Sequence, residues 1–203
     1  MEQGIVIKRI STKTVKVPIV STAPLIVHRF SEKAKKQMLD AMQGKKTQRE
    51  LKDPEAEYKA AAYRFKDGGY GFPSIAFKAA TVGAARSYGK DLPMTKLKQF
   101  LFFDGEIGLD NQKLIRIIGE PVMREDVVRV GNGGTDLRYR PMFPEWKAVL
   151  TVTYQDVQLT LDSVLSIIDA GGLTVGAGEW RPQRNGDFGT YRVDTDQKVE
   201  IVS

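Results

Sequence analysis

The sequence predicts an α+β protein with a ferredoxin-like core, that is, a split βαβ arrangement. Two observations support this fold class. Apolar residues recur at helix spacing within two segments, and these segments alternate with others whose pattern is typical of strands. The core order is strand, helix, strand, strand, helix, strand, at 4–20, 74–86, 114–118, 146–154, 161–170 and 189–202. A split βαβ core requires this order. We therefore expect one domain over 1–203, with an inserted helical and basic region at 30–70 and a β-hairpin extension at 120–143.

The first strand is predicted from alternating apolar and polar residues, of which Val15, Val17 and Ile19 share one face. Residues 23–30 continue in an extended form. Pro24 predicts an edge or a break there, because proline donates no hydrogen bond to a sheet.

The insertion is predicted to contain two helices. Ser31 supplies the N-cap of the first, which ends at Gly44. Asp53 caps the second, with Pro54 at its first position. The basic stretch between them is expected to be a mobile loop that carries Lys45, Lys46, Arg49 and Lys52.

The first core helix is predicted over 74–86, where Ile75, Ala79 and Val82 recur at helix spacing. An apolar run predicts the strand at 114–118. Shorter predicted elements are a helix from Thr95, a strand at 100–103, two extended segments within 122–130 and a hairpin turn at 131–134.

A glycine-rich loop is predicted from Gly171 to Arg192, between the helix at 161–170 and the last strand. Six glycines stand in these 22 residues. Glycine is costly to order, so this density indicates a backbone that needs positive φ or close approach to another group. The stretch is therefore expected to be a structured loop.

Charge and composition limit the function classes. The chain carries 31 Lys and Arg against 25 Asp and Glu, a net charge of +6, which favours nucleic acid as a partner. The absence of cysteine excludes disulfides and thiolate metal sites. No apolar run reaches the roughly 18 residues of a membrane helix, and no secretory signal is recognisable. We expect a cytoplasmic protein with no membrane partner.

Few residues in the sequence are suited to catalysis. His28 is the only histidine, and neither a Gly-x-Ser-x-Gly elbow nor a phosphate-binding Gly-x-x-x-x-Gly-Lys-Ser/Thr loop occurs. The acidic residues at 104–126 lack a recognisable metal-binding spacing. We therefore expect no enzyme activity, no cofactor and no metal, and RNA cleavage with His28 as general base stays open as an alternative.

The glycine-rich loop is suited to binding a polyanion. Backbone N–H groups at Gly176 and Gly178 can approach phosphate oxygens closely. Arg181 and Arg184 add forked donors, and Trp180 offers a face on which a base can stack. Equally, Trp180 is a candidate core anchor, and the two glycines are candidates for a bulge.

A second basic cluster flanks the hairpin turn and contains Arg124, Arg129, Arg138 and Arg140, with Tyr139 and Phe143 interleaved. On a strand, Arg138 and Arg140 share a face and Tyr139 points away from them. Either the arginine face binds the ligand and Tyr139 packs, or the reverse holds. Lys45, Lys46 and Arg49 form a third cluster, expected to clamp the ligand from the insertion.

Two resemblances add to these residues. Gly176-Ala177-Gly178 and Gly186-Asp187-Phe188-Gly189 resemble the C-terminal glycine-rich loop of the RAMP superfamily, which includes CRISPR Cas proteins that coat or process guide RNA. Two residues separate the last glycines here, where the superfamily pattern has one. The resemblance implies a ferredoxin-like, RRM-like core, in agreement with the order above.

The whole chain also resembles a family of uncharacterised bacteriophage and prophage proteins. The segments that carry this likeness are 24–31, 53–57, 130–131, 137–141 and 178–182. The resemblance implies a phage origin, and hence a role in replication, recombination or evasion of host defence in the bacterial cytoplasm.

The function expected from the sequence is non-catalytic binding of single-stranded DNA or RNA, by a homo-oligomer that coats or anneals strands as a filament or ring. One alternative is an anti-defence protein that binds a host immune complex or sequesters a nucleotide signal, since glycine loops with arginines also suit a small phosphate ligand. The other is a RAMP-like endoribonuclease that uses His28.

Overall fold

A computed structural model describes residues 9–45, 51–89, 92–130 and 134–203. The strands in these ranges are β1 (Lys13–Ser21), β2 (Leu25–Ile26), β3 (Tyr63–Arg64), β4 (Tyr70–Pro73), β5 (Leu101–Phe103), β6 (Glu106–Ile107), β7 (Lys113–Arg116), β8 (Val122–Val130), β9 (Gly134–Phe143), β10 (Lys147–Tyr154), β11 (Tyr191–Val193) and β12 (Glu200–Ile201). The helices are α1 (Glu32–Met42), α2 (Pro54–Ala60), α3 (Ser74–Ala84), α4 (Met94–Phe100) and α5 (Leu161–Thr174).

The core is a central antiparallel sheet in the order β11-β1-β10-β5, with β12 also paired to β1. Residues of α3 and α5 pack against one face of it, where Val17 of β1 lies opposite Leu150 of β10 and both are fully buried. Alternate residues such as Lys16 and Val149 point to the other face and are more exposed. The predicted α+β class is confirmed, and the ferredoxin-like assignment stays a prediction.

The prediction that 114–118 is a strand of this core sheet was wrong, because another segment forms the edge beside β10. That edge is held by β5, which pairs with Val152–Tyr154 of β10. Strand β7 belongs to a second antiparallel sheet, β3-β4-β7-β6, and the bridge between Ile118 and Lys147 links the chain after it to β10. Consecutive Leu114 and Ile115 are both buried, so this segment is covered on both faces, whereas an edge strand of the central sheet exposes one face.

The hairpin is formed by β8 and β9, which pair from Val122 with Met142 to Val130 with Gly134. The two short extended segments predicted for 122–130 are therefore one continuous strand. Of the predicted turn at 131–134, residues 131–133 lie outside the described residues, and Gly134 begins β9. Strand β9 also pairs with β2, which joins the hairpin to the segment after β1.

Helix α5 runs four residues beyond its predicted end and takes Gly171 and Gly172 out of the glycine-rich loop. Close packing explains these two glycines. A Cβ on Gly171 would lie 2.8 Å from the backbone nitrogen of Thr81, and a Cβ on Gly172 would lie 2.0 Å from the carbonyl oxygen of Tyr191. The glycines thus let α5 approach α3 and β11, and the loop begins at Val175.

Both helices of the insertion form as predicted. Ser31 accepts a hydrogen bond from the Ala34 N–H at 3.1 Å, and Asp53 accepts one from the Ala56 N–H at 3.1 Å. The predicted strand residues 4–8 and most of the expected mobile loop, 46–50, lie outside the described residues. No helix within the described ranges is long and apolar enough to cross a membrane.

Candidate nucleic-acid interface

The loop that follows α5 is held against β2 by backbone hydrogen bonds. The Glu179 N–H donates to the Ile26 carbonyl at 3.0 Å, and the Gly189 N–H donates to the Pro24 carbonyl at 2.7 Å. Within the loop, the Ala177 N–H donates to the Gly189 carbonyl at 2.8 Å. These bonds make residues 175–190 a fixed structure at one edge of the central sheet.

The structure explains why positions 176 and 178 are occupied by glycine, Gly176 and Gly178, which the sequence alone does not show. Their φ angles are +70° and +76°, in the left-handed region that favours glycine. A Cβ on Gly178 would also lie 2.4 Å from the Ile26 carbonyl oxygen. Both glycines are thus needed to shape the loop, and the predicted phosphate contact of their N–H groups stays a prediction.

The loop meets the hairpin at Arg140. The cross-strand pairs place Arg124, Asp126, Arg138 and Arg140 on one hairpin face. Arg140 is 2% exposed, with Nη2 2.5 Å from Asp126 Oδ2 and Nη1 3.7 Å from Glu179 Oε2. Because this side chain is buried and paired with carboxylates, the predicted phosphate contact of Arg140 does not fit its position.

A second contact joins the same two elements. Arg124 Nε donates to Asp126 Oδ1 at 2.9 Å. The Arg124 guanidinium carbon also lies 4.9 Å from the centre of the Phe188 ring, within the range of a cation–π interaction. Hairpin and loop are therefore connected by the ion pair of Arg140 with Glu179 and by the contact of Arg124 with the Phe188 ring.

Three other arginines keep part of their surface open to solvent. The Arg138 side chain is 34% exposed, with Nε 3.9 Å from Asp136 Oδ2, and Arg184 is exposed. Arg181 is half-buried, and its Nη1 donates to the Gly178 carbonyl at 2.9 Å. Burial lowers the pKa of Arg181, the nearby charge of Arg184 lowers it further, and Glu179 opposes the change.

Trp180 is 45% exposed and has a φ of +53°, so it is not the core anchor of the molecule. Trp146 has that role: it is 1% exposed, and its indole N–H donates to the Ala23 carbonyl at 3.0 Å. The interpretation of Trp180 as a core residue was therefore wrong.

Tyr139 and Arg129 lie on the other face of the hairpin. Arg129 pairs with Thr135, and Tyr139 pairs with Glu125. A hydrogen bond with Glu125 raises the pKa of Tyr139. The predicted cluster of hairpin arginines is thus divided, because Arg129 shares a face with Tyr139 and points away from Arg138 and Arg140.

His28 belongs to the neighbourhood of the loop, which sequence reasoning missed. Its Nδ1 lies 3.8 Å from Glu179 Oε1. Burial lowers its pKa, the charge of Glu179 opposes this, and the charges of Arg138 and Arg140 lower it further, so the imidazole is largely neutral at neutral pH. No local pattern could reveal this group, because 151 positions separate His28 from Glu179.

The basic insertion reaches the hairpin at its C-terminal end. Lys52 Nζ lies 2.6 Å from Asp136 Oδ1 and donates to the Leu137 carbonyl. Lys45 is 64% exposed and lies 3.6 Å from Asp40. Lys46 and Arg49, the other predicted clamp residues, lie outside the described residues. Within the described ranges, no group of three His, Cys, Asp or Glu side chains is placed to hold a metal ion.

The solved structures that are similar to this chain include two with CRISPR Cmr names. No protein-family model and no curated protein matches the sequence. The crystal structure of Cmr6 from Pyrococcus furiosus is 9% identical, covers 92% of this chain and 100% of that chain, and has a TM-score of 0.46. The cryo-EM structure of the Type III-B Cmr-beta bound to cognate target RNA is 10% identical, covers 95% and 61%, and has a TM-score of 0.45. At these values the likeness assigns no function to this chain.

Proposed function

We propose that this protein binds single-stranded nucleic acid without cutting it and coats or anneals strands as a homo-oligomer. The observation that carries the proposal is the contact between the glycine-rich loop and the hairpin, which hold two of the predicted basic clusters. Glu179 of the loop makes this contact: its carboxylate lies 3.7 Å from Arg140 of the hairpin and 3.8 Å from His28. The same proposal includes two further points. The glycine-rich loop is RAMP-like, and the protein is phage-encoded and acts in the host cytoplasm.

The arginines of this interface have two different roles. Arg138 and Arg184, whose guanidinium groups reach solvent, contact phosphates. Arg140 is buried and positions the loop against the hairpin. Arg181 contributes charge and also holds the Gly178 carbonyl, so its substitution would change both the charge and the shape of the loop.

The solvent-accessible side chains of Arg138 and Trp180 favour a strand over a small nucleotide. Two clefts of about 630 Å³ and 510 Å³ lie beside β5 and β7, and neither is lined by a residue of the loop or the hairpin. A small ligand needs a concave site that buries most of its surface. A strand instead follows a positively charged surface and stacks its bases on exposed aromatic side chains such as Trp180.

The test is a titration with single-stranded DNA and RNA of increasing length, at several salt concentrations. We expect affinity to rise with length and to fall steeply with salt. Replacing Arg138 and Arg184 by glutamine weakens binding to all sequences alike and lowers the salt slope by about 0.7 for each lost phosphate contact. Lys98→Gln removes an exposed charge from α4, which lies beside β5, and is expected to leave binding unchanged.

The other outcomes separate the alternatives. Unchanged affinity and salt slope in the double variant would refute the assignment of this interface. Binding of mononucleotides with indifference to strand length would favour a protein that sequesters a nucleotide signal. Cleavage of RNA by the unmodified protein that is lost in His28→Ala would favour the endoribonuclease.

A further inference from the structure

We infer that Phe30, stacked on His28, is a base-stacking platform of this interface. The inference rests on the proposed function and names a nucleobase as the ligand group that this part of the surface takes. It adds a residue that neither the glycine-rich loop nor the hairpin contains.

The two rings form a near-parallel, offset pair. Their centroids are 6.2 Å apart, and their planes differ by 14°. Phe30 is 58% exposed, whereas the His28 side chain is 25% exposed. Phe30 is thus more than half exposed although His28 is stacked on it, which leaves an exposed aromatic side chain for an offset stack with a base.

The backbone before this pair and between its two residues is fixed. The Val27 N–H donates to the Pro141 carbonyl at 2.9 Å, and the Arg29 N–H donates to the Ala61 carbonyl at 2.9 Å. The Arg29 guanidinium is held as well, with Nε 3.1 Å from Asp110 Oδ2. Phe30 is therefore presented by an ordered segment, so that little conformational freedom is lost when a base stacks on it.

The charges around the pair suit a nucleotide. His28 lies close enough to Arg138 and Arg140 for their charges to act on its imidazole. With Arg140 buried, Arg138 is the group of the two that is open to a phosphate. A strand whose phosphate contacts Arg138 thus has an exposed aromatic ring nearby for its base. Stacking of this kind tolerates every base, because each has a flat π face.

The experiment compares an oligothymidine with an abasic strand of the same length, which keeps the phosphates and lacks the bases. Phe30→Leu keeps an apolar side chain and removes the ring. We expect it to weaken oligothymidine binding by roughly fivefold or more, with little effect on the abasic strand. Phe30→Trp restores binding. Phe102→Leu is the matched control, because Phe102 is also 50% exposed but lies on β5, at the opposite edge of the central sheet from β11.

Each outcome decides the inference. Equal losses on both strands, no loss on either, or an equal loss in Phe102→Leu would overturn it, and thermal unfolding shows whether each variant is folded. The proposed function is tested separately, by strand binding of the unmodified protein. If that protein binds neither strand, the proposed function fails. If it binds both and only Phe30→Leu is without effect, the platform alone is wrong.

Discussion

Among single residues, Arg140 has the surroundings that constrain its role most. Its guanidinium is buried between the carboxylates of Asp126 and Glu179, and the Asp126 side chain is itself only 11% exposed. Removing one partner of a buried ion pair leaves the other charge without compensation, which is more damaging than losing an exposed pair. Arg140 therefore belongs to the stability of the interface, although its residue type alone indicated a phosphate contact.

We predict that Arg140→Met lowers the free energy of unfolding by about 3 kcal/mol, measured by urea denaturation. This is the lower end of the range for a broken buried pair, because Arg124 still holds Asp126 at 2.9 Å. Arg129→Met, on the opposite and exposed side of the hairpin, serves as the control and is expected to change stability by less than about 0.5 kcal/mol. Similar losses in the two variants would contradict the positioning role.

Among the secondary-structure elements, α5 shows how packing extends a helix that local sequence would end. Glycine pairs usually stop helices, yet Gly171 and Gly172 continue α5 because only a hydrogen atom fits against α3 and β11.

Gly172→Ala is expected to destabilise the fold by about 1–3 kcal/mol in thermal or urea unfolding, since its methyl group meets the Tyr191 carbonyl. Ser166→Ala, on the exposed side of α5, is the control; an equal effect would argue against the close approach.

The elements that the sequence predicted well are those with local signals. Ser31 and Asp53 cap their helices by bonds that span three residues. The sequence could not predict that β5, and not the 114–118 segment, joins the central sheet. Both segments are short and apolar, and tertiary packing decides between them. The loop–hairpin contact was not predictable for the same reason. The alternation along β9 predicted which residues share a face, but no pattern indicated that Glu179 and Phe188 of the loop contact that face.

In the molecule as a whole, the candidate interface and the two clefts are lined by different residues. Helix α1 presents a separate apolar surface. Met38, Leu39 and Met42 on this helix are 50%, 53% and 81% exposed. Contact with a neighbouring copy would remove this surface from water, which is favourable. The exposed surface of α1 thus supports the proposed assembly of several copies along one strand.

We predict that replacing Met38 and Met42 by glutamine abolishes cooperative binding to long strands and leaves affinity for short strands unchanged. Light scattering checks the assembly state, and titrations with short and long strands check the cooperativity. Val157→Gln removes a comparably exposed apolar side chain outside α1 and is expected to keep the assembly intact. Undiminished cooperativity in the α1 variant would show that copies meet elsewhere.

The pairing of β1 has a consequence for the order of events during synthesis. One edge of β1 pairs with β10 and the other with β11 and β12, so the central sheet stays incomplete until residue 201 has been synthesised. The Glu179 N–H reaches back to the Ile26 carbonyl across a similar length of chain. Contacts so distant along the chain form late in folding. The candidate interface is therefore formed only after these distant segments have been synthesised and have paired.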